Sequence, residues 1–144
     1  MRGDAMMKPA QGCLEDDRAC DCAMMMMKRN IGFAPVCDRA GKPVGAITDR
    51  DLALRIVAAN RPSDTKLSEV MTRDAVCCHV GDDLSKAEEL MRDHHKARIM
   101  VCDAGGKLKG VISLSDVMEI EDENTATETF REVAERETHQ PFAS

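Results

Sequence analysis

A constant separation of 65 residues relates one half of this 144-residue chain to the other, and no other feature constrains its fold as strongly. Val36-Cys37-Asp38 returns as Val101-Cys102-Asp103. At the same separation Gly41, Lys42, Gly45, Ile47, Thr48 and Asp51 meet Gly106, Lys107, Gly110, Ile112, Ser113 and Asp116. Upstream, Met6, Cys13, Asp17 and Met26 meet Met71, Cys78, Asp82 and Met91 without any insertion. Self-similarity at a fixed period marks one supersecondary unit used more than once. A unit of about 60 residues buries too little apolar surface by itself, so the two copies are expected to pack on each other.

Each copy carries the same local signals. Asp16 and Asp17 precede apolar residues at Ala19, Cys22, Ala23, Met26 and Met27, the spacing of one face of a capped helix. In the second copy Asp82 and Asp83 precede Leu84, Ala87 and Met91 in the same way. Two short strands then form a hairpin, Phe33–Cys37 and Pro43–Thr48 around Asp38-Arg39-Ala40-Gly41, repeated as Ile99–Cys102 and Leu108–Ser113 around Asp103-Ala104-Gly105-Gly106. A second helix is expected over Asp49–Ala59, with Leu52, Ile56 and Val57 inward, ending at Asn60-Arg61-Pro62. Ahead of the second copy, Ala75-Val76-Cys77-Cys78-His79-Val80 reads as a strand. Its counterpart Pro9-Ala10-Gln11-Gly12-Cys13-Leu14 lacks β-formers and reads as a degenerate one. The fold class expected is therefore α/β, with strand-helix-strand-strand-helix used twice. Its divisions are a first repeat over 1–62, a second over 63–121 and an acidic tail over 122–144.

Charge narrows the range of partners. The net charge is −6, and residues 119–144 hold eight Asp and Glu against two Arg, which accounts for all of it. A neutral body with an acidic extension does not attract phosphate backbones, and a chain without Trp or Tyr has no strong stacking platform, so nucleic acid is excluded as a partner. The tail reads either as a charged helix around Phe130 and Val133 or as a solvated extension. No run approaches the roughly 18 apolar residues of a membrane span, and nothing after Met1-Arg2-Gly3-Asp4 resembles a secretion signal. Seven cysteines in no framework spacing fit reduced thiols, so the expected location is the cytoplasm.

The motif with chemical content stands where each hairpin ends, Gly45-Ala46-Ile47-Thr48-Asp49-Arg50-Asp51 and Gly110-Val111-Ile112-Ser113-Leu114-Ser115-Asp116. Both place a hydroxyl three residues before a carboxylate. At a helix start this brings the two side chains together, a geometry suited to the vicinal hydroxyls of a ribose. The same spacing is also a capping box, worth about 0.5–2 kcal/mol, and taken singly it reads first as that.

The doubled Gly-apolar-apolar-Thr/Ser-x-x-Asp signature, with Phe33-Ala34-Pro35-Val36 in the preceding strand and Glu69-Val70-Met71-Thr72-Arg73-Asp74 opening the second copy, resembles a pair of cystathionine-beta-synthase (CBS) domains across residues 6–121. The resemblance implies two repeats related by a pseudo-two-fold axis, with clefts for AMP, ATP or S-adenosylmethionine and no required cofactor. The role expected is a regulatory module, a homodimer whose change on binding is read by a partner protein or a second copy of the module. The resemblance assigns ribose contacts to Thr48 with Asp51 and to Ser113 with Asp116. Arg50 has no cationic counterpart in Leu114-Ser115 and is a candidate phosphate contact. Copy two also replaces Pro35 with Met100, and the weak first strand of copy one leaves open which site works.

Two rival readings stand beside this one. The first is a dimerisation scaffold with vestigial sites. The second is a thiol or metal sensor built on Cys20-x-Cys22, Cys77-Cys78 and His79, although Cys13, Cys37, Cys78 and Cys102 occupy repeat-equivalent strand positions where cysteine serves as a small core residue. Met24–Met27 reads as adaptable packing, and His94-His95 as a helix-end dipole contact. Catalysis finds no support, since no Ser–His–Asp order, HExxH or phosphate loop occurs.

Overall fold

The computed structural model describes residues 2–3, 7–9, 12–73, 75–120 and 133. Its elements run β1 (Lys8–Pro9), β2 (Cys13–Leu14), α1 (Ala19–Arg29), β3 (Phe33–Cys37), β4 (Pro43–Thr48) and α2 (Asp49–Leu52), which continues as a π-helical turn over Ala53–Val57. A 3-10 turn (Leu67–Glu69) leads to β5 (Cys77–His79), α3 (Leu84–His94), β6 (Arg98–Cys102), β7 (Leu108–Ser113) and α4 (Leu114–Ile120). No helix among the described residues is long and apolar enough to cross a membrane.

The elements gather into two units. The first-repeat unit comprises Ala10–Ala75 with Gly105–Leu108; the second-repeat unit comprises the described residues of Met1–Pro9, Val76–Ala104 and those from Lys109 on. The repeats in sequence and the units in space thus divide the chain at different points. Residues 63–75 stay with the first repeat because backbone bonds hold them there: Leu67 N–H to Asp17 O at 2.9 Å, Ser68 N–H to Glu15 O at 2.9 Å, and Thr72 paired with Ala46. β1 instead pairs with β7 of the second-repeat unit, Lys8 opposite Val111 and Pro9 opposite Gly110. Of the acidic segment expected over 122–144, only Val133 is described, buried in the second-repeat core; the rest lies outside the described residues.

In the first-repeat unit the sheet order is β2-β3-β4. Ala34, Val36 and Ile47 face Ala19, Cys22 and Met26 of α1, and Ile56, Leu67, Val70 and Met71 complete the core. The second-repeat sheet runs β1-β7-β6-β5, and its core repeats the plan, with Ile99, Val101 and Ile112 against Leu84, Ala87 and Met91. The 65-residue repeat survives in backbone detail. α1 and α3 stop on left-handed residues, Asn30 (φ 53°) and His95 (φ 54°), and the hairpin turns use Gly41 (φ 85°) and Gly106 (φ 84°), where glycine meets no steric penalty.

Three local expectations are corrected. Asp16 and Asp17 do not cap α1, whose N-cap is Arg18 without a side-chain cap bond. Asp17 accepts the Leu14 N–H at 2.8 Å and its counterpart Asp82 accepts the His79 N–H at 2.9 Å, so these carboxylates close the turn leaving each first strand. The α1 N–H groups go instead to main-chain oxygens, Ala19 to Thr65 and Cys20 to Ser63. Ala23 and Met27 point outward, leaving α1 a narrower buried stripe of Ala19, Cys22 and Met26. Val57 is 77% exposed rather than inward, because the wider π turn seats Ile56 in the core and carries the next residue out.

The Pro35/Met100 difference has a structural cause. β2 reaches only Val36 and Cys37 on β3, so Pro35, which has no N–H, stands beyond its end. The longer β5 pairs as far as Met100, whose N–H donates to Val76 O at 3.1 Å. Each residue matches the length of the strand beside it.

Candidate functional site

Each unit carries one copy of the hydroxyl–carboxylate motif at the junction of strand and helix. In the first-repeat unit Thr48 is the N-cap of α2, in extended conformation (φ −115°, ψ 164°). The Asp51 N–H donates to Thr48 Oγ1 at 3.1 Å, and the Thr48 N–H donates to Asp51 Oδ2 at 2.9 Å, a complete capping box. The backbone here is fixed from the other side too, since the Asp49 N–H donates to Gly32 O at 3.0 Å. The equivalent bond in the second-repeat unit runs from the Leu114 N–H to Ala97 O at 2.8 Å. There the Asp116 N–H donates to Ser113 Oγ at 3.3 Å, and Ser113 Oγ lies 3.1 Å from Ser115 Oγ.

The structure thus brings Thr48 to Asp51 and Ser113 to Asp116, each pair within its own unit. Arg50 follows on the exposed side of α2, its N–H bonded to the Asp49 carboxylate at 2.8 Å. The two copies differ in the residue after the hydroxyl, Asp49 being exposed while Leu114 is buried in the core at 4% exposure.

One residue near the site escapes the sequence motif. Arg55 sits 3.9 Å from Asp51 Oδ1 through Nε, while its Nη1 donates to the carbonyls of Val70 at 3.0 Å and Met71 at 3.3 Å. It ties the site carboxylate to the segment that follows α2. The Asp-to-Arg spacing of four residues on a helix was the available signal. Replacing Thr48 by alanine removes one arm of the box, and urea unfolding should show a loss of about 0.5–2 kcal/mol.

The thiols do not gather as a metal centre: among the described residues no three His, Cys, Asp or Glu side chains are placed to share an ion. Cys37 and Cys102 are buried strand residues, as their repeat position implies.

Comparison with known proteins agrees with this architecture. The family model for the CBS domain matches residues 3–58 and 67–123. The chain is 34% identical over 115 residues to YlbB of Bacillus subtilis, covering 79% of this chain and 77% of that protein. It is 32% identical over 114 residues to MJ1404 of Methanocaldococcus jannaschii, covering 79% of this chain but only 27% of that longer protein. Among solved structures, the CBS domain protein TA0289 of Thermoplasma acidophilum superposes with a TM-score of 0.78 at 19% identity, over 92% of this chain and 75% of that one. CBSX2, solved in complex with AMP, gives 0.68 at 21% identity over 82% and 93%. The CBS pair of MJ0100, solved with 5-methylthioadenosine and S-adenosyl-L-methionine, gives 0.72 at 23% over 83% and 94%. With the family model matched on both repeats and the repeated sheet-and-helix plan in each unit, the chain belongs to the CBS domain family.

Proposed function

We propose that this chain senses an adenosine nucleotide or derivative, AMP, ATP or S-adenosylmethionine, with Thr48 and Asp51 or Ser113 and Asp116 holding the ribose hydroxyls and Arg50 meeting phosphate. The observation that carries the reading is the doubled hydroxyl–carboxylate pair. Asp51 keeps 20% of its side chain exposed, and a carboxylate has about four acceptor positions, so the capping bond to Thr48 leaves room for a ribose hydroxyl. Arg50 makes the first-repeat site the better match for a phosphorylated ligand. The AMP and S-adenosylmethionine complexes of CBSX2 and MJ0100 support the ligand class. Binding favours one conformational state of the module, and a partner protein reads the change. The module acts in the cytoplasm, where free thiols are the resting state of its cysteines.

The test is thermal unfolding with and without millimolar AMP, ATP and S-adenosylmethionine, on the wild type, Asp51→Ala and Asp116→Ala. A ligand at 100 times its dissociation constant adds about 2.7 kcal/mol. Asp51→Ala also weakens a cap, so the readout is the ligand-dependent shift within each variant. Loss of that shift in one variant identifies the working site, and no shift in the wild type with any ligand overturns the proposal.

A second reading, assembly through α1, has its own observation. Met24 and Met27 are 49% and 73% exposed, beside an open concavity of about 330 Å³ lined by Asp21, Met24, Met25, Lys28 and Arg29. Such a surface suits a homodimer contact. A dimer by sedimentation that Met24→Lys and Met27→Lys together convert to monomer supports it, and a monomeric wild type excludes it.

A further inference from the structure

Cys13 and Cys22 form a thiol pair between sheet and helix, unlike Cys77 and Cys102, which touch along the neighbouring strands β5 and β6 of the second-repeat unit. Cys13 of β2 is half-buried and Cys22 of α1 is buried at 2% exposure, and their sulfurs are 3.9 Å apart across the layer between sheet and helix. Cys13 pairs with Val36, which faces the same core, whereas Cys37 belongs to the opposite side of β3 and does not compete for it. Cys20 lies two residues before Cys22 on α1, too close along the helix to share its face. One thiol of the pair is thus reachable by a small oxidant, and the other waits behind it.

We propose that Cys13 and Cys22 are an oxidative modification site, converted by hydrogen peroxide into a disulfide that joins β2 to α1. The Cys13 thiolate attacks one peroxide oxygen; an S–O bond forms, the O–O bond breaks, and the departing hydroxide takes a proton to leave as water. The Cys22 sulfur then attacks the Cys13 sulfenic acid. The S–S bond forms, the S–O bond breaks, and the hydroxyl leaves with the Cys22 proton as a second water. Two thiols lose two electrons in all, and one peroxide becomes two waters.

The surroundings divide the roles in this order. Hydrogen bonding with Cys22 holds the Cys13 thiol below its ordinary pKa, against the opposing effects of burial and Asp17 and with help from Arg29. The same contact, together with burial, pushes Cys22 up, keeping it a thiol until its partner is oxidised. β2 makes only two register pairs with β3, so its cysteine can close the remaining gap with little loss of sheet structure.

The site does not depend on nucleotide binding. The folded wild-type chain is treated with hydrogen peroxide, its remaining thiols are alkylated, and tryptic peptides are mapped by mass spectrometry without reduction. Cleavage after Arg18 places Cys13 and Cys22 on separate peptides, and fragmentation distinguishes Cys22 from Cys20. The expected product is a Cys13–Cys22 linked pair that dithiothreitol reverses. In Cys22→Ser the link disappears and Cys13 is trapped by dimedone as the sulfenic acid. In Cys13→Ser, Cys22 stays reduced. Recovery of both thiols unmodified in the wild type while Cys20 or Cys77 is oxidised overturns the proposal, as does a predominant link between any other two cysteines. The wild-type map decides even where a variant folds poorly.

Discussion

Gly45→Ala is expected to destabilise the chain by about 3 kcal/mol, although it adds a single methyl group to a strand. A Cβ at this position lies 2.4 Å from the main-chain oxygen of Thr72 and 3.2 Å from Met71 Sδ. The first of these contacts cannot relax by a side-chain rotation. Thr72 O accepts the Ala46 N–H at 2.9 Å while the Thr72 N–H donates to Ala46 O at 2.9 Å, so moving the Thr72 backbone breaks both bonds. Each is worth about 1 kcal/mol net, and the displaced Met71 leaves a core in which it is 5% exposed. Urea unfolding measures the effect. A midpoint equal to that of the wild type would mean that the 70–72 segment does not rest on β4 at all.

This close contact joins residues far apart in sequence, and it marks where the chain's legibility ends. The hairpins could be read because Asp38 and Gly41 shape their turn locally, with Asp38 Oδ1 accepting the Ala40 and Lys42 N–H groups at 2.9 and 3.0 Å. The Thr48–Asp51 box could be read for the same reason, since its bonds span three residues. The placement of Lys8-Pro9 on β7 and of Thr72 beside Ala46 could not: two-residue strands and single bridges have no period, and only the partner hairpin decides where they go. β2 is likewise fixed by its neighbour. Its composition is poor for a strand, yet two register pairs hold Cys13 and Leu14 along β3. The roles of Asp17 and Asp82 are ambiguous in sequence, because a carboxylate before a helix can take a helix N–H or a strand N–H and spacing does not tell the two apart. The role of Arg55 is not legible in sequence because its partners, the carbonyls of Val70 and Met71, become neighbours only once the segment after α2 folds back.

Ile47→Ala and Ile112→Ala, 65 residues apart, are each expected to cost about 2–5 kcal/mol in urea unfolding, against less than about 0.5 kcal/mol for the exposed Val57→Ala. Both isoleucines are 0% exposed, and each sits in the centre of its own unit's core on the strand that ends in the hydroxyl of the motif. Truncation leaves a cavity directly beneath Thr48 or Ser113, lined by residues that relax only partly. Ile47 faces Ala34, a small residue that offers little to fill the space, and paired β3 holds Ala34 in register opposite it. Ile47→Val restores most of the volume and should recover most of the loss, to within about 0.5–1.5 kcal/mol of the wild type. Two variants, Asp51→Ala and Ile47→Val, separate packing from recognition. Asp51→Ala is expected to remove the ligand-dependent shift, whereas Ile47→Val keeps both carboxylate and hydroxyl and should retain it. A variant series in which the shift instead followed overall stability would assign Thr48 and Asp51 to the cap alone.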